Sequence, residues 1–193
     1  MNRYWKGCVA LIAVSLVAAP LLAKKKQVIE RYEATAMSLQ AGRASRMEVG
    51  IFGWSTDEDR NAMIEAFKQG GDQAVYKLLG KQEELAFVSL PGTLGYQMRY
   101  VYQTESNGKR IITMATDRPI AMGEIRRGSI SQDYNISLVL LELDPTTGEG
   151  TGEMIVGADF GVNKKTGRFE IETAGRDPIK FTTVKPMKVK SKN

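Results

Sequence analysis

Residues 96–117 read YQMRYVYQTESNGKRIITMATD, and the reading of this stretch decides the fold class. Asn107-Gly108 is a two-residue hairpin signal, because a type I′ turn needs positive φ at both central positions. A two-residue loop also fixes the register on either side of it. Glu105 then faces Arg110, Tyr102 faces Thr113, Tyr100 faces Ala115 and Arg99 faces Thr116. The opposite face pairs Val101 with Met114 and Gln103 with Ile112. Both faces carry apolar side chains, which a sheet wetted on one side does not need, so a cover is expected on each.

Outward from the hairpin the pattern stays strand-like. Upstream, Leu85 to Leu90 is an apolar run closed by Pro91-Gly92, and Met47, Val49 and Ile51 alternate with Glu48, Gly50 and Phe52. Val28 to Met37 alternates more weakly. Downstream, Tyr134 to Leu143 is long and apolar, and Asp144-Pro145-Thr146-Thr147-Gly148 turns the chain into Gly152 to Val156. A turn over Asn163 to Gly167 leads into Phe169, Ile171 and Thr173, and Ile179 to Val184 is placed to close the sheet.

One segment breaks this period. Ser55-Thr56-Asp57-Glu58-Asp59 opens a helix, with a hydroxyl to cap free amides and carboxylates at the positive end of the dipole. Met63, Ala66 and Phe67 share a face, and Gly70-Gly71 is a stop signal. Asp72 then starts a second helix with Ala74, Val75, Leu78 and Leu79 as its stripe. The expected fold is mainly β (α+β): an antiparallel β-sandwich or open barrel of about eight strands, with a two-helix segment inserted after the second strand. The alternative is an α+β sandwich with the helices on one layer.

The start of the 193-residue chain bears on location. Arg3 and Lys6 precede an apolar run, then Pro20-Leu21-Leu22-Ala23 and Lys24-Lys25-Lys26. That is the layout of a bacterial secretory signal peptide over residues 1–23, leaving 24–193 as a single β-rich domain in the periplasm or medium. Retention of residues 7–23 as a membrane anchor is the alternative, although three lysines on the exported side oppose the positive-inside bias.

Composition removes several chemistries. There is no histidine, and the one cysteine, Cys8, lies inside the signal. The exported domain then has no disulfide, although its compartment permits one. Ser–His–Asp and Cys–His catalysis and Cys/His zinc sites are excluded, and no cofactor is expected. Lysines gather at the two ends (Lys24, Lys25, Lys26, Lys180, Lys185, Lys188, Lys190 and Lys192) and leave a mildly acidic body between them. The basic tail over 185–193 and the amino-terminal lysines could touch an anionic surface weakly or serve only solubility, and an acidic exported body argues against nucleic acid.

Three blocks carry a resemblance: Trp54-Ser55-Thr56-Asp57-Glu58-Asp59-Arg60, Leu90-Pro91-Gly92-Thr93-Leu94-Gly95-Tyr96 and Ala115-Thr116-Asp117-Arg118-Pro119-Ile120. In these the chain resembles a group of predicted secreted proteins from soil bacteria for which no activity is known. The resemblance implies export and a single domain, and implies no function.

The candidate ligand-binding residues are Tyr96, Arg99, Tyr100, Asp117 and Arg118, with Tyr102 completing an aromatic face. They place aromatic surface beside an acid and two guanidiniums at a strand end, where Pro119 stops the ladder; Arg99 and Asp117 read first as a structural ion pair and second as part of an anion site. Asp57, Glu58 and Asp59 point in different directions on a first helical turn and read as a helix start rather than a metal site. Asp159-Phe160-Gly161, Gly148 to Gly152, and Ser106 to Lys109 imitate known motifs without their structural context. Asn135-Ile136-Ser137 matches a glycosylation sequon inside a buried-looking strand. The expected function is an exported non-catalytic module binding a small molecule or an envelope partner. The alternative is a hydrolase independent of His and Cys that uses carboxylates or a divalent metal.

Overall fold

The structure is a computed structural model, and it describes residues 26–38, 43–90, 95–118, 136–162, 169–173 and 177–189. Residues 1–23, where a signal peptide is expected, Lys24, Lys25, Pro91-Gly92, Pro119, Asn135, the expected 163–167 turn, Lys190 and Lys192 lie outside these residues. The described strands are β1 (Glu30–Ser38), β2 (Arg43–Ile51), β3 (Ala86–Ser89), β4 (Tyr96–Met98), β5 (Tyr100–Ser106), β6 (Lys109–Thr116), β7 (Ile136–Leu143), β8 (Gly150–Val162), β9 (Phe169–Thr173) and β10 (Ile179–Pro186). A helix, α1 (Asp57–Leu79), follows β2.

All the strands belong to one antiparallel sheet in the order β4-β3-β2-β1-β10-β8-β7-β6-β5. β9 pairs with β8 at Ala158, on the edge opposite Ile136 of β7, and so lies in line with β10. β4 and β5 are two segments of one strand, bent at Arg99. The first segment pairs with β3 and the second with β6. The same strand therefore ends the sheet on both sides, and nine strands wrap into a nearly closed barrel. The remaining edge of β5 is capped by the chain leaving β2: the Ser55 amide donates to the Val101 carbonyl (2.7 Å), and Ser55 Oγ accepts from the Val101 amide (3.0 Å). This satisfies a seam that would otherwise expose unpaired backbone.

The sandwich expected as one of two options is thus replaced by a single barrel, since the bend at Arg99 lets one sheet close on itself. The expected helical pair is also corrected. α1 is one 23-residue element, with Gly70 (φ −150°) and Gly71 (φ 61°, ψ −151°) departing from helical angles inside it. Gly71 sits where a side chain is not tolerated, so the break is real, but it kinks the helix instead of ending it. Thr56 is the cap: its hydroxyl accepts from the Asp59 amide (3.2 Å), and Asp59 accepts from the Thr56 amide (2.8 Å), a reciprocal capping box.

The hairpin register follows the sequence, with Glu105 opposite Arg110, Tyr102 opposite Thr113 and Tyr100 opposite Ala115. Asn107 (φ 52°) and Gly108 (φ 71°) both have positive φ. Alternation then sorts residues to two cores. Ala34, Met47, Val49, Ile51, Val88, Met98, Val101, Ile112, Met114, Leu141, Leu143 and Phe181 are all buried within the barrel. Val75, Leu79, Ala115, Ile136, Leu138, Ile155 and Ala158 form a second core between α1 and the outer sheet face.

One end of the barrel is closed by a polar plug. Arg110 of β6 spans the mouth to Glu30 of β1 through two bonds (Nη2–Oε1 2.9 Å, Nη1–Oε2 3.1 Å), and Nε donates to Gln103 (3.0 Å). The guanidinium stacks over Trp54 at 5.2 Å. Tyr32 donates to Glu30 (2.6 Å), and burial, reinforced by Glu30, pushes the phenol well above its ordinary range.

A close approach between neighbouring strands occurs at Gly50, whose register partner is Phe87. A Cβ built on Gly50 would lie 2.1 Å from the Phe87 ring, so the ring covers the glycine. Gly50→Ala is expected to lower stability by about 1–3 kcal/mol through overpacking, and Phe87→Leu in that background to recover part of it. Urea unfolding midpoints of the single and double variants measure both effects.

Candidate functional site

α1 does not seal the outer face of the barrel completely. Between them lies a cavity of about 490 Å³. The helix contributes Met63, Ile64, Phe67, Val75 and Leu79, drawn from both sides of the kink. The sheet contributes Ala115 from β6 and Ile136, Leu138 and Leu140 from β7. These strand positions face outward because their neighbours Met114, Val139 and Leu141 face in, as period two demands. Small Ala115 and Thr113 opposite the helix keep this part of the interface open.

The polar side chains on the lining are Arg60, Tyr100 and Thr113. Arg60 is exposed, on the first turns of α1, with its guanidinium carbon 5.6 Å from the centre of the Tyr102 ring. Tyr102 stacks on Tyr100 (centroids 6.1 Å apart, planes at 16°) and donates to Asp57 (2.5 Å). Arg60, Tyr102 and Tyr100 thus form one wall at the helix start. Burial raises the Tyr100 phenol to about 12, with Arg60 opposing the shift. The nearby carboxylates are engaged: Asp57 holds Tyr102 and Asp59 holds the helix cap. Among the described residues no three Asp, Glu, His or Cys side chains cluster as a metal site would.

The residues singled out from sequence divide into three groups. Tyr100 lines the cavity. Arg99 and Asp117 come together (Nε–Oδ1 3.0 Å, side chains 18% and 15% exposed), and Arg99 Nη1 also donates to the Gln82 carbonyl (2.6 Å). This pair ties the strand bend to the end of β6 and to the turn after α1. Arg118 is exposed beyond the strand end. Tyr96 parts from Tyr100 altogether. Met98 and Val101 both point inward across the bend, so Tyr96 packs against the inner core while Tyr100 faces the helix. The aromatic face is therefore Tyr100 with Tyr102 alone.

Sequence reasoning missed Arg60, the Met63–Phe67 face as a cavity wall, and the outer residues of β7. The apolar run Leu138-Val139-Leu140-Leu141 was the available signal, because a strand apolar on both faces needs a cover on each.

Comparison with protein-family models, with curated proteins and with solved structures finds no match for this chain.

Two outcomes follow from this geometry. Arg99→Met or Asp117→Asn should each cost about 1–3 kcal/mol, with the double variant costing less than their sum, in a thermodynamic cycle from denaturant unfolding. Tyr100 supplies a pH effect. Its folded pKa of about 12 exceeds the ordinary 10.0, so folded and unfolded states bind the proton equally below 10.0 and the folded state holds it longer above. Stability should fall as pH rises from 10.0 towards about 12, and less steeply in Tyr100→Phe, as read by alkaline unfolding with tyrosinate absorbance.

Proposed function

We propose that this protein is an exported, non-catalytic binding module that holds a small, largely apolar molecule carrying a negative group in the cavity between α1 and strands β5–β7. The observation that carries this reading is an apolar cavity of about 490 Å³ whose lining has one charged side chain, Arg60. Small-molecule sites are commonly about 300–1,000 Å³, apolar, with few oriented polar groups. Arg60 makes a cation–π contact, and among the described residues no carboxylate neutralises it in an ion pair. Its head is available to an anion at the rim while its stem lies along apolar surface.

Binding is favoured over turnover by the chemistry of the same wall. Tyr100 is held protonated far above neutral pH, and Asp57 and Asp59 are committed to local bonds. A carboxylate-pair hydrolase needs two acids turned towards one reacting bond. The amino-terminal pattern supports export in this reading, and the apolar cavity supports the ligand class.

Titration with anilinonaphthalene sulfonate, an apolar probe bearing an anion, tests the proposal. The protein should bind it with a fluorescence rise. Arg60→Gln should weaken binding about tenfold while a neutral naphthylamine probe is unaffected. Ala115→Leu, which fills the cavity floor, should weaken both probes. Equal binding of the sulfonate by parent and both variants would overturn the assignment.

A further inference from the structure

We propose that the first half of α1, residues 57–69, is a gate over the cavity: it opens and closes as a unit while the second half stays folded on the sheet. The gating role rests on the binding function proposed for that cavity, whereas the independent opening of this half stands on the helix itself. Gly70 (φ −150°) and Gly71 (φ 61°, ψ −151°) interrupt the helical backbone between the halves. Helix formation is cooperative because each hydrogen bond builds on the turn before it, and two residues outside helical angles break that propagation. Gly71 occupies a region of φ and ψ essentially reserved for glycine, so the interruption is built into the fold. Each half must therefore be stabilised by its own contacts.

Those contacts are unequal. In the second half Val75 and Leu79 are buried, Leu79 completely. The turn after it continues the anchorage: the Gly80 amide donates to the Tyr76 carbonyl (3.0 Å), the Gln82 amide to the Leu79 carbonyl (3.0 Å), and the Gln82 carbonyl accepts from Arg99 (2.6 Å). In the first half no residue is buried. Its apolar side chains Met63, Ile64, Ala66 and Phe67 are half-buried. Met63, Ile64 and Phe67 line the cavity, so part of their packing is missing. Isolated helices shorter than about 12–15 residues are marginal in water, and a segment of this length with incomplete apolar contact is the least stable part of the element.

Both ends of this half are nonetheless tethered. Ser55 is bonded to Val101 through its amide and its Oγ, and Thr56 forms the capping box with Asp59. Asp57 accepts from the Tyr102 hydroxyl (2.5 Å), and Arg60 lies over the Tyr102 ring. The glycine pair ties the other end to the fixed half. A segment held at both ends and loosely packed between them can lift from the sheet and return to the same place. A cavity floored by Ala115, Leu138 and Leu140 needs such a cover if a molecule is to be admitted and then enclosed. An occupant would supply the contacts that Met63, Ile64 and Phe67 lack, so it would favour the closed state over the open one.

Hydrogen exchange of the protein without added probe, read by mass spectrometry, tests the opening. Amides 61–69 should exchange at least about tenfold faster than amides 75–79. Tyr102→Phe, which removes the bond to Asp57, should speed exchange across 61–69 several-fold and leave 75–79 unchanged. Asn61→Ala, at an exposed position off the cavity lining where alanine favours helix, should slow it about two- to threefold. With anilinonaphthalene sulfonate bound, 61–69 should slow further, and Asn61→Ala should slow association of that probe in stopped flow by the same factor. Equal exchange in both halves, or a Tyr102→Phe effect spread evenly over both, overturns the gate even where the probe binds. Probe association indifferent to Asn61→Ala also overturns it, because the molecule then enters without the gate. Unequal halves in a protein that does not take the probe support the opening and sink the binding function alone.

Discussion

The whole architecture depends on one strand serving two neighbours. Tyr96 to Ser106 pairs with β3 before Arg99 and with β6 after it. Without that bend the sheet would end in two open edges, each a row of unpaired backbone donors and acceptors. The bend is held by side chains: Arg99 reaches Asp117 at the end of β6 and the Gln82 carbonyl after the helix. Ser55 then covers the strip of β5 that no strand reaches. A nearly closed, apolar-filled barrel is the consequence, held among the described residues without a covalent staple.

Closure also dictates where a ligand can go. The interior is filled by Met47, Met98, Met114, Met154 and Phe181, each almost wholly buried, so the barrel is a packed core and not a vessel. Space is left outside it, where a kinked helix lies over a twisted sheet. A straight helix would follow one line of contact. The break at Gly70–Gly71 allows Met63 and Phe67 on one side and Val75 and Leu79 on the other to meet different parts of β6 and β7. Imperfect fit between these halves and the small side chains of β6 leaves the cavity.

Local signals in the chain were readable where local physics settles them. Asn107-Gly108 dictates its turn and so the register of Tyr100 to Arg110, and Met47, Val49 and Ile51 show their common face by period alone. Thr56 and Asp59 mark the helix start because a capping box is built from near neighbours. Gly70-Gly71 showed that helical angles fail there, yet whether a chain turns or merely kinks is decided by the sheet it packs on. The bend at Arg99 carries no glycine or proline, so nothing local announces it. It exists because Met98 and Val101 both gain by burial in the barrel, and that reward is collective. Tyr96 was misplaced for this reason. Arg60 escaped notice because its value comes from the cavity beside it.

One end of the barrel shows how the described residues, which include no cysteine, are braced without a covalent link. At the mouth nearest the chain ends, Arg110 gathers Glu30, Gln103, Tyr32 and the Trp54 ring. β6 and β1 are not neighbours in the sheet, so this network is a cross-brace over the opening and not a ladder contact. Burial opposes the Arg110 charge, but Glu30 and Tyr32 outweigh it and the guanidinium is held more firmly protonated than usual. Such a brace does with a partly buried, fully bonded ion pair part of what a disulfide would do, and it specifies which strands face each other rather than adding much net stability. The same end carries Lys26, Lys185 and Lys188 on its outer rim. Lys26 is tied there to Glu83 and to the Glu84 carbonyl, so the segment entering β1 is anchored to the turn before β3 and the brace over the mouth is reinforced from outside.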